Sequence, residues 1–364
     1  MDSSQNLTPH DRAVEENEER FKVLIPAVVL SVIAMAIGIF GNSLVLYIFK
    51  CRYKPSNHRC FILSLATFDI LFDLFGIPFM IVEMRLNYIF PSEAACKVHR
   101  FINYSYGCGS GLTVMTIAID RYLKVCKPNG RQITNKMAKG LCFLLAFIGM
   151  LFALPTVELY GEHNVQKKQN ITITQCFPRN IYKENPLLPT LYNGFLALCF
   201  ITTVVTISIC YILIVRRVKT HKVTREKTLR STISTTISTR SLHSSDDPSS
   251  TSNQAILTQE GALKKNSTRL KATVKTQKVA KMLFVVTAVF IVSYIPYFCL
   301  IITIYANANT NFKEDWSKTG EAFFEVFWRS FLINSFANPI IYGFMDKKFR
   351  IECKALLYRF INRG

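Results

Sequence analysis

The chain has 364 residues, of which half are hydrophobic and only 19% are charged, and its mean hydropathy is positive at +0.22. A soluble protein would need a very large core to bury 28 Phe residues, whereas repeated apolar stretches of about 20 residues, each long enough to cross a bilayer, accommodate them directly. The net charge of +20 would fit a nucleic-acid-binding protein, but the cations lie between the apolar stretches, which argues against that class. Composition therefore predicts an integral membrane protein.

Seven apolar stretches follow one another along the chain, so the two termini are predicted on opposite sides of the membrane. Their approximate ranges are 23–49, 60–84, 97–125, 138–158, 188–215, 279–305 and 321–345. The segments at the shared inner ends of the stretches, counted with their flanking residues as 50–59, 121–139, 216–281 and 347–363, contain 31 of the 44 Lys and Arg residues. The positive-inside rule makes that side cytoplasmic, so we expect residues 1–22 to form an extracellular tail and the C-terminus to be cytoplasmic.

The predicted exterior side carries features of an oxidising, glycosylated environment. Asn6 and Asn170 are each the first residue of an Asn-x-Thr pattern, which marks a potential N-glycosylation site. The longest exterior loop, residues 159–186, alternates polar and β-branched residues in a way that favours a β-hairpin. Cys96 and Cys176 are the only cysteines clearly on this side, so we predict a disulfide that ties the loop to the third span.

The predicted interior side carries two polar segments. Residues 220–270 are rich in Ser, Thr and charged residues and are predicted to be a disordered third cytoplasmic loop. The final segment, 346–364, alternates basic and apolar residues, which predicts a short amphipathic eighth helix on the membrane surface. Cys353 in this helix is a candidate for palmitoylation.

Asp69 lies inside the second span, where a carboxylate is costly and therefore indicates function. Neutral polar residues lie at comparable depth in other spans, namely Asn42, Ser110, Asn334, Ser335 and Asn338. This set fits either a site for a monovalent cation or proton, or a structural hydrogen-bond network. Asp73 lies one turn from Asp69 on the same face, so it is expected either to carry a proton or to face a polar cavity.

Taken in order, the motifs of these spans resemble the rhodopsin-like (class A) G protein-coupled receptors, and the resemblance covers residues 23 to about 360. The matching motifs are Gly41-Asn42, Leu65-Ala66-x-x-Asp69, Cys96 with Asp120-Arg121-Tyr122, Tyr211, Phe290-x-x-x-Tyr294-x-Pro296, Asn338-Pro339-Ile340-Ile341-Tyr342 and Phe349-Arg350. The resemblance implies an all-α seven-transmembrane bundle over residues 23–345, in the plasma membrane, that transmits a signal and does not catalyse a reaction.

The resemblance also implies a mechanism and a set of site residues. Asp120 would hold Arg121 at rest, and outward movement of the sixth helix would free Arg121 to meet a heterotrimeric G protein. The residues implied for this switch are Asp120, Arg121, Tyr122, Tyr211, Phe290, Tyr294, Pro296, Asn338, Pro339 and Tyr342. A sodium ion that stabilises the resting state would bind Asp69, Ser110, Asn334, Ser335 and Asn338. Receptor kinases, arrestin and membrane lipid are further implied partners.

The ligand class is narrowed by what the spans lack. Asn103 stands where amine receptors carry an Asp, and residues 321–343 contain no Lys for a retinal Schiff base, so neither a monoamine nor retinal is expected. The long strand-like loop resembles the peptide branch, which implies a neuropeptide ligand, and outer acidic residues would complement a basic peptide. Those acids are Glu83, Glu158, Glu162, Glu321 and Glu325, and the predicted pocket residues are Asn103, Glu83, Tyr294, Tyr297, Glu325 and Arg329. A receptor for a lipid or other small molecule and, more remotely, a polytopic transporter remain alternatives.

Overall fold

A computed structural model describes residues 8–167, 171–182, 186–242, 252–306 and 317–362 of the chain. The chain divides into two compact units, one formed by residues up to 117, 133–206 and from 285 onwards, and the other by residues 118–132 and 207–284. The helices of the described ranges are α1 Pro9–Arg52, α2 Asn57–Leu71, α3 Ile77–Arg85, α4 Glu93–Cys126, α5 Asn135–Ala153, α6 Thr156–Leu159, α7 Leu187–Leu242, α8 Ser252–Ala306, α9 Lys318–Trp328, α10 Leu332–Met345 and α11 Lys347–Ile361.

Five segments of the described chain are long and apolar enough to cross a membrane. They are Pro9–Arg52, Asn57–Arg85, Asn135–Leu159, Leu187–Thr220 and Gln277–Ile304, and they contain the predicted spans one, two, four, five and six. The third span corresponds to α4, a helix of 34 residues with polar and charged side chains along its length. The seventh is divided between α9 and α10, which are too short to cross alone.

The second span changes its helical pitch in the middle. A π-helical segment, Phe72–Gly76, separates α2 from α3. Pro78 follows as an early residue of α3, and its ring removes an amide donor and crowds the carbonyl four residues before it, so the regular helix cannot run through. The chain before Pro78 therefore forms a widened turn, and Asp73 lies in it.

The first helix begins well before the predicted span. Thr8 and Asp11 form a reciprocal capping box that starts the helix. Asn17 is fully buried and accepts a hydrogen bond of 3.0 Å from the amide of Tyr88. Residues 9–22 are consequently the outer turns of α1 and continue into the first span, because partners on the protein take the place of water. That they are extracellular stays a prediction.

A β-hairpin covers the same end of the molecule. Strand β1, Tyr160–Lys167, pairs antiparallel with β2, Ile171–Pro178. On its other edge Thr174 exchanges backbone hydrogen bonds of 2.8 and 2.9 Å with Tyr88 and Phe90. Cys96 and Cys176 form a disulfide with a Cα–Cα distance of 5.4 Å. Both the predicted hairpin and the predicted disulfide are confirmed.

The predicted disorder of residues 220–270 differs from the structure. The backbone of α7 continues to Leu242 and that of α8 begins at Ser252, whereas residues 243–251 lie outside the described ranges. Extending a helix that a transmembrane segment has already nucleated adds one backbone hydrogen bond per residue, so a polar composition alone does not exclude a helix here.

A glycine contact sets the distance between α4 and α5. A Cβ atom placed on Gly149 would lie 2.8 Å from both the Cα and the amide nitrogen of Gly109. These are backbone atoms, which cannot rotate away as a flexible side chain would. The two helices therefore pack at the short distance that small residues allow in membranes.

We expect Gly149→Ala to destabilise the protein by about 1–3 kcal/mol, because the added methyl group forces the two helices apart. The measurement is the thermal unfolding midpoint of the purified chain in detergent. Gly140→Ala is the matched control, since it changes the same residue type in the same helix and its Cβ would meet nothing within 4 Å. Equal unfolding midpoints for the two variants would show that the close approach of the two helices does not contribute to stability.

Candidate functional site

A cavity of about 960 Å³ lies beneath the hairpin. Side chains of α3, α4, α7, α8 and α9 enclose it, together with Arg20 of α1 and part of β2. The volume is at the upper end of the range of about 300–1,000 Å³ that is usual for small-molecule sites. All six residues predicted for the ligand pocket line it, namely Glu83, Asn103, Tyr294, Tyr297, Glu325 and Arg329.

One wall of the cavity is built on the buried carboxylate of Glu83. Arg100 contacts it through Nη2 at 2.5 Å, and the ring of His99 contacts its second oxygen through Nε2 at 2.7 Å. The same Nη2 of Arg100 donates to the carbonyl oxygen of Cys176 at 2.8 Å. The ion pair is therefore joined directly to the disulfide-bonded strand of the hairpin.

A second part of the cavity wall is built on Glu325, which is also buried. Arg329 contacts its carboxylate at 2.6 Å from one turn further along the chain, and Arg20 of α1 pairs with the other oxygen. Arg20 also contacts Glu321 at 2.8 Å, so a single guanidinium bridges two carboxylates of α9. The outer turns of α1 are thereby fixed to the outer half of the seventh span.

These pairs revise the electrostatic character expected of the cavity. Four of the five acids predicted to complement a basic peptide already pair with arginines, since Glu158 contacts Arg179 at 2.6 Å in addition to the pairs above. Glu162, in β1, is exposed. A carboxylate out of water requires a compensating cation, and here the protein itself supplies it. The acidic rim is thus not a free complement for a basic ligand.

Neutral hydrogen-bonding groups also line the cavity. The hydroxyl of Tyr104 lies 2.7 Å from that of Tyr160 and 3.4 Å from that of Tyr297. The amide nitrogen of Asn103 lies 3.1 Å from Nε2 of His99, and its buried carbonyl oxygen has no hydrogen-bond partner among the described residues. Asn103 therefore presents an acceptor that a ligand donor can satisfy.

The floor of the cavity is aromatic. The ring of Tyr294 lies 4.8 Å from that of Phe290 and 5.9 Å from that of Phe331, measured between centroids. Its hydroxyl is buried without a hydrogen-bond partner in the described chain. Pro296, inside α8, follows two residues later, so the helix that forms the floor lacks one backbone hydrogen bond next to it.

Four residues of this site were missed by the sequence reasoning: Arg20, His99, Arg100 and Tyr104. His99 and Arg100 lie within the predicted third span, where ionisable side chains are costly, and this signal was sufficient to find them. Arg20 gave no such signal, because it lies in a polar segment that composition assigned to a tail. Its role follows only from the extension of α1.

Asp69 lies at the centre of a buried polar cluster deeper in the first unit. Its two oxygens accept hydrogen bonds from the hydroxyl of Tyr106 at 3.0 Å and from the amide of Asn338 at 2.9 Å. Asn334 donates to the same Tyr106 hydroxyl at 2.8 Å. The buried hydroxyl of Ser110 has no partner among the described residues. Most of the predicted ion-site residues are thus connected, with Tyr106 as an additional member.

The residues present fit a small cation near Asp69. Small hard cations take oxygen ligands, and each Asp69 oxygen keeps a second lone pair after its one hydrogen bond. The unpartnered Ser110 oxygen is a further neutral ligand, and the hydroxyl of Ser335 donates to the Leu332 carbonyl at 3.0 Å while its own lone pairs stay available.

Arg121 lies in the second unit with its guanidinium buried. It donates through Nη2 to Asp120, and Lys124 contacts the same carboxylate oxygen at 2.9 Å. The Nε of Arg121 is buried and has no acceptor in the described chain. Asp120 thus neutralises two cations at once, of which the sequence pattern predicted only the first.

Two tyrosines of the predicted switch also lie in this unit. Tyr211 is buried, and its ring packs edge-on against Phe284 with centroids 5.0 Å apart. Tyr122 has its ring 5.9 Å from the ammonium group of Lys127. The structure places both tyrosines as predicted in helices α7 and α4.

The end of the seventh span is fixed by close packing in the first unit. A Cβ placed on Gly41 would lie 2.8 Å from the ring of Pro339, so α1 and α10 approach closely. Tyr342 is buried with its ring 5.6 Å from that of Phe49 and 6.3 Å from that of Phe349. Its hydroxyl has no hydrogen-bond partner among the described residues, so only apolar contacts hold it.

Of the three predicted modification sites, the structure describes only Cys353. Asn6 and Asn170 lie outside the described residues. Cys353 lies half-buried in α11, and burial raises the pKa of its thiol.

Comparison with known proteins identifies relatives for this architecture. The chain is 30% identical over 209 residues to the C3a anaphylatoxin chemotactic receptor of Oncorhynchus mykiss, covering 55% of this chain and 56% of that protein. It is 26% identical over 242 residues to neuromedin-U receptor 1 of Rattus norvegicus, covering 63% of this chain and 55% of that protein. It is 24% identical over 343 residues to somatostatin receptor type 3 of Homo sapiens, covering 93% of this chain and 68% of that protein. The chain thus spans little more than half the length of the first two relatives.

A family model of the 7 transmembrane receptor (rhodopsin family) matches residues 41–342. This range runs from the first span to Tyr342 in the seventh and so includes the cavity, the Asp69 cluster and the Asp120-Arg121 pair. The match confirms the predicted seven-span fold. The chain therefore belongs to the rhodopsin family of 7 transmembrane receptors.

Proposed function

We propose that this protein binds an extracellular ligand in the cavity beneath the hairpin and activates heterotrimeric G proteins through the segment around Arg121. The observation that carries the proposal is the cavity itself, which has the size of a ligand site and contains every predicted pocket residue. Membership of the family makes the chain a multi-pass receptor of the plasma membrane and not an enzyme. In this proposal the hairpin and N-terminus are extracellular and the C-terminus is cytoplasmic.

A peptide is the ligand class that we propose. Relatives named for C3a, neuromedin U and somatostatin support it, and so does a cavity of about 960 Å³ with an aromatic floor and polar walls. Because the acids of the walls already have arginine partners, recognition would rely on the free acceptor of Asn103, the tyrosine hydroxyls and the remaining guanidinium N–H groups. A peptide backbone supplies both donors and acceptors for these groups.

The proposed activation step starts at the floor of the cavity. A ligand that contacts Phe290 and Tyr294 favours one position of α8 over another, and Pro296 is the point at which that helix bends most easily. Outward movement of its opposite end would expose Arg121 to a G protein. Arg121 would then exchange its contact with Asp120 for contacts with that partner.

Sodium is the proposed allosteric ligand of the resting state. Asp69, Ser110, Asn334, Ser335 and Asn338 would hold it, and the ion would supply the positive charge that the Asp69 carboxylate lacks. The cytoplasmic surface would recruit receptor kinases and arrestin. The helix α11 would lie on membrane lipid, since Ile351, Leu357 and Tyr358 are exposed beside its basic residues, with Cys353 as the acylated residue.

A ligand screen tests the first half of the proposal. Cells that express the full chain are exposed to libraries of peptides, lipids and monoamines, and G protein activation is recorded. We expect active compounds among the peptides, and Tyr297→Phe should reduce their potency by about three- to tenfold, because one hydroxyl hydrogen bond is lost. Tyr47→Phe is the matched control, since Tyr47 is a half-exposed residue of α1 outside the cavity. Activation by lipids alone would contradict the peptide assignment.

A ligand-independent assay tests the second half. Asp120→Asn removes the charge that holds Arg121, so basal nucleotide exchange on G proteins should rise severalfold in membranes that contain this variant. Adding Arg121→Ala to Asp120→Asn should abolish the rise, because the freed guanidinium is the proposed contact. Lys127→Ala in the same background removes a nearby exposed cation and serves as the control. A double variant that stays as active as Asp120→Asn would eliminate Arg121 from the mechanism, provided that surface expression is equal.

A further inference from the structure

Asp73 is the most poorly compensated charged group among the described residues of the first unit. It is fully buried, and neither of its carboxylate oxygens accepts a hydrogen bond from a described residue. Asp69, four residues earlier, has two donors, from Tyr106 and Asn338. Neither carboxylate forms an ion pair with a described Lys, Arg or His. Two buried carboxylates thus lie in one region, and the two neutral donors found there both bind Asp69.

The surroundings of Asp73 are shaped to accept its carboxylate. The residue lies in the π-helical segment, and its Oδ2 would be only 2.1 Å from a Cβ placed on Gly38 of α1. No residue other than glycine leaves room for the carboxylate at that point. Ser335 of α10 lies beside the same part of α1, because its carbonyl oxygen accepts a hydrogen bond from Asn42, one turn after Gly38. The carboxylate is therefore held against α1, near α10 and the Asp69 cluster.

Two neutral oxygens of the same region also lack partners. Asn42 lies one turn after Gly38, is fully buried and donates to the Ser335 carbonyl at 2.7 Å, while its side-chain oxygen has no donor in the described chain. Ser110, fully buried in α4 one turn after Tyr106, has an equally unpartnered hydroxyl oxygen. Unpartnered buried acceptors are rare in proteins, and a bound water or ion is a usual explanation for them. Here the acceptors number four, since both Asp73 oxygens join them.

We propose that Asp73 is a second carboxylate ligand of a small hard cation, which it shares with Asp69. The inference rests on the proposed sodium site and deepens it, since the five residues proposed for that site include one carboxylate only and Asp73 adds another on the side of α1. Oxygen ligands from two carboxylates, Ser110, Ser335 and Asn42 are the donor set that hard cations of this kind take. The second carboxylate makes the site more strongly anionic and so raises its affinity for the ion.

Thermal unfolding of the purified full-length chain in detergent tests the assignment. The unfolding midpoint is followed by intrinsic fluorescence while NaCl replaces choline chloride at constant ionic strength, with CaCl₂ and MgCl₂ in separate titrations. We expect Na⁺ to raise the midpoint of the wild type and Asp73→Asn to weaken the apparent Na⁺ affinity by about tenfold or more. Tighter binding of Ca²⁺ or Mg²⁺ than of Na⁺ would identify the two carboxylates as a divalent-cation site.

A second variant displaces the Asp73 carboxylate while leaving the residue itself unchanged. Gly38→Ala places a methyl group where Oδ2 of Asp73 lies, so the carboxylate must move, and the Na⁺ affinity should fall as it does in Asp73→Asn. Gly140→Ala, whose Cβ would meet nothing within 4 Å, should titrate like the wild type. This pair keeps the test valid if Asp73→Asn does not fold.

The possible outcomes distinguish the role of Asp73 as a ligand from the existence of the sodium site. If Na⁺ stabilises the wild type, Asp73→Asn and Gly38→Ala equally but fails to stabilise Asp69→Asn, the sodium site stands and Asp73 is not a ligand. That result would mean that Asp73 is a neutral structural residue, which Asn replaces without loss. If none of the cations stabilises the wild type, the sodium site and the role of Asp73 both fall.

Discussion

A charged group buried in a membrane span needs a compensating group, because hydrocarbon offers none, and this constraint shapes the cavity walls and the Asp120 cluster. Glu83 takes Arg100 and His99, Glu325 takes Arg20 and Arg329, and Asp120 takes Arg121 and Lys124. Each pair also joins two helices or fixes the direction of one guanidinium. The same electrostatic requirement thus holds the outer ends of the spans together and keeps Arg121 in a defined position.

The end of the molecule beneath the hairpin is built as a rigid frame for a ligand. Asn17 and Arg20 attach the outer turns of α1 to the turn at Tyr88 and to α9, and the Cys96–Cys176 disulfide attaches the hairpin to α4. Arg100 connects this frame to the cavity wall through the Cys176 carbonyl. If a ligand binds in this cavity as proposed, it meets walls whose charges are already balanced, and its selectivity would depend on neutral acceptors and donors more than on net charge.

The sequence predicted the features that depend on composition and spacing, namely the spans, the hairpin, the disulfide and the six residues around the cavity. It could not predict which acid pairs with which arginine, because Arg20 and Glu325 are separated by about 300 residues and meet only through the fold. It placed Asp73 on the face of Asp69, but the π-helical turn redirects that side chain towards Gly38. The extent of α1 was missed for a related reason, since polar residues that find protein partners look like a tail in the sequence.

The arrangement at Asp120 also bears on how readily the helix end can change state. When the guanidinium of Arg121 leaves, Lys124 remains 2.9 Å from the same oxygen, so no bare carboxylate is created in a buried place. Lys124 therefore lowers the part of the free-energy cost that comes from leaving Asp120 without a partner, whereas Arg121 still has to replace its own counter-ion with a new contact. In the proposed activation step Lys124 would act as a resident substitute cation for Asp120.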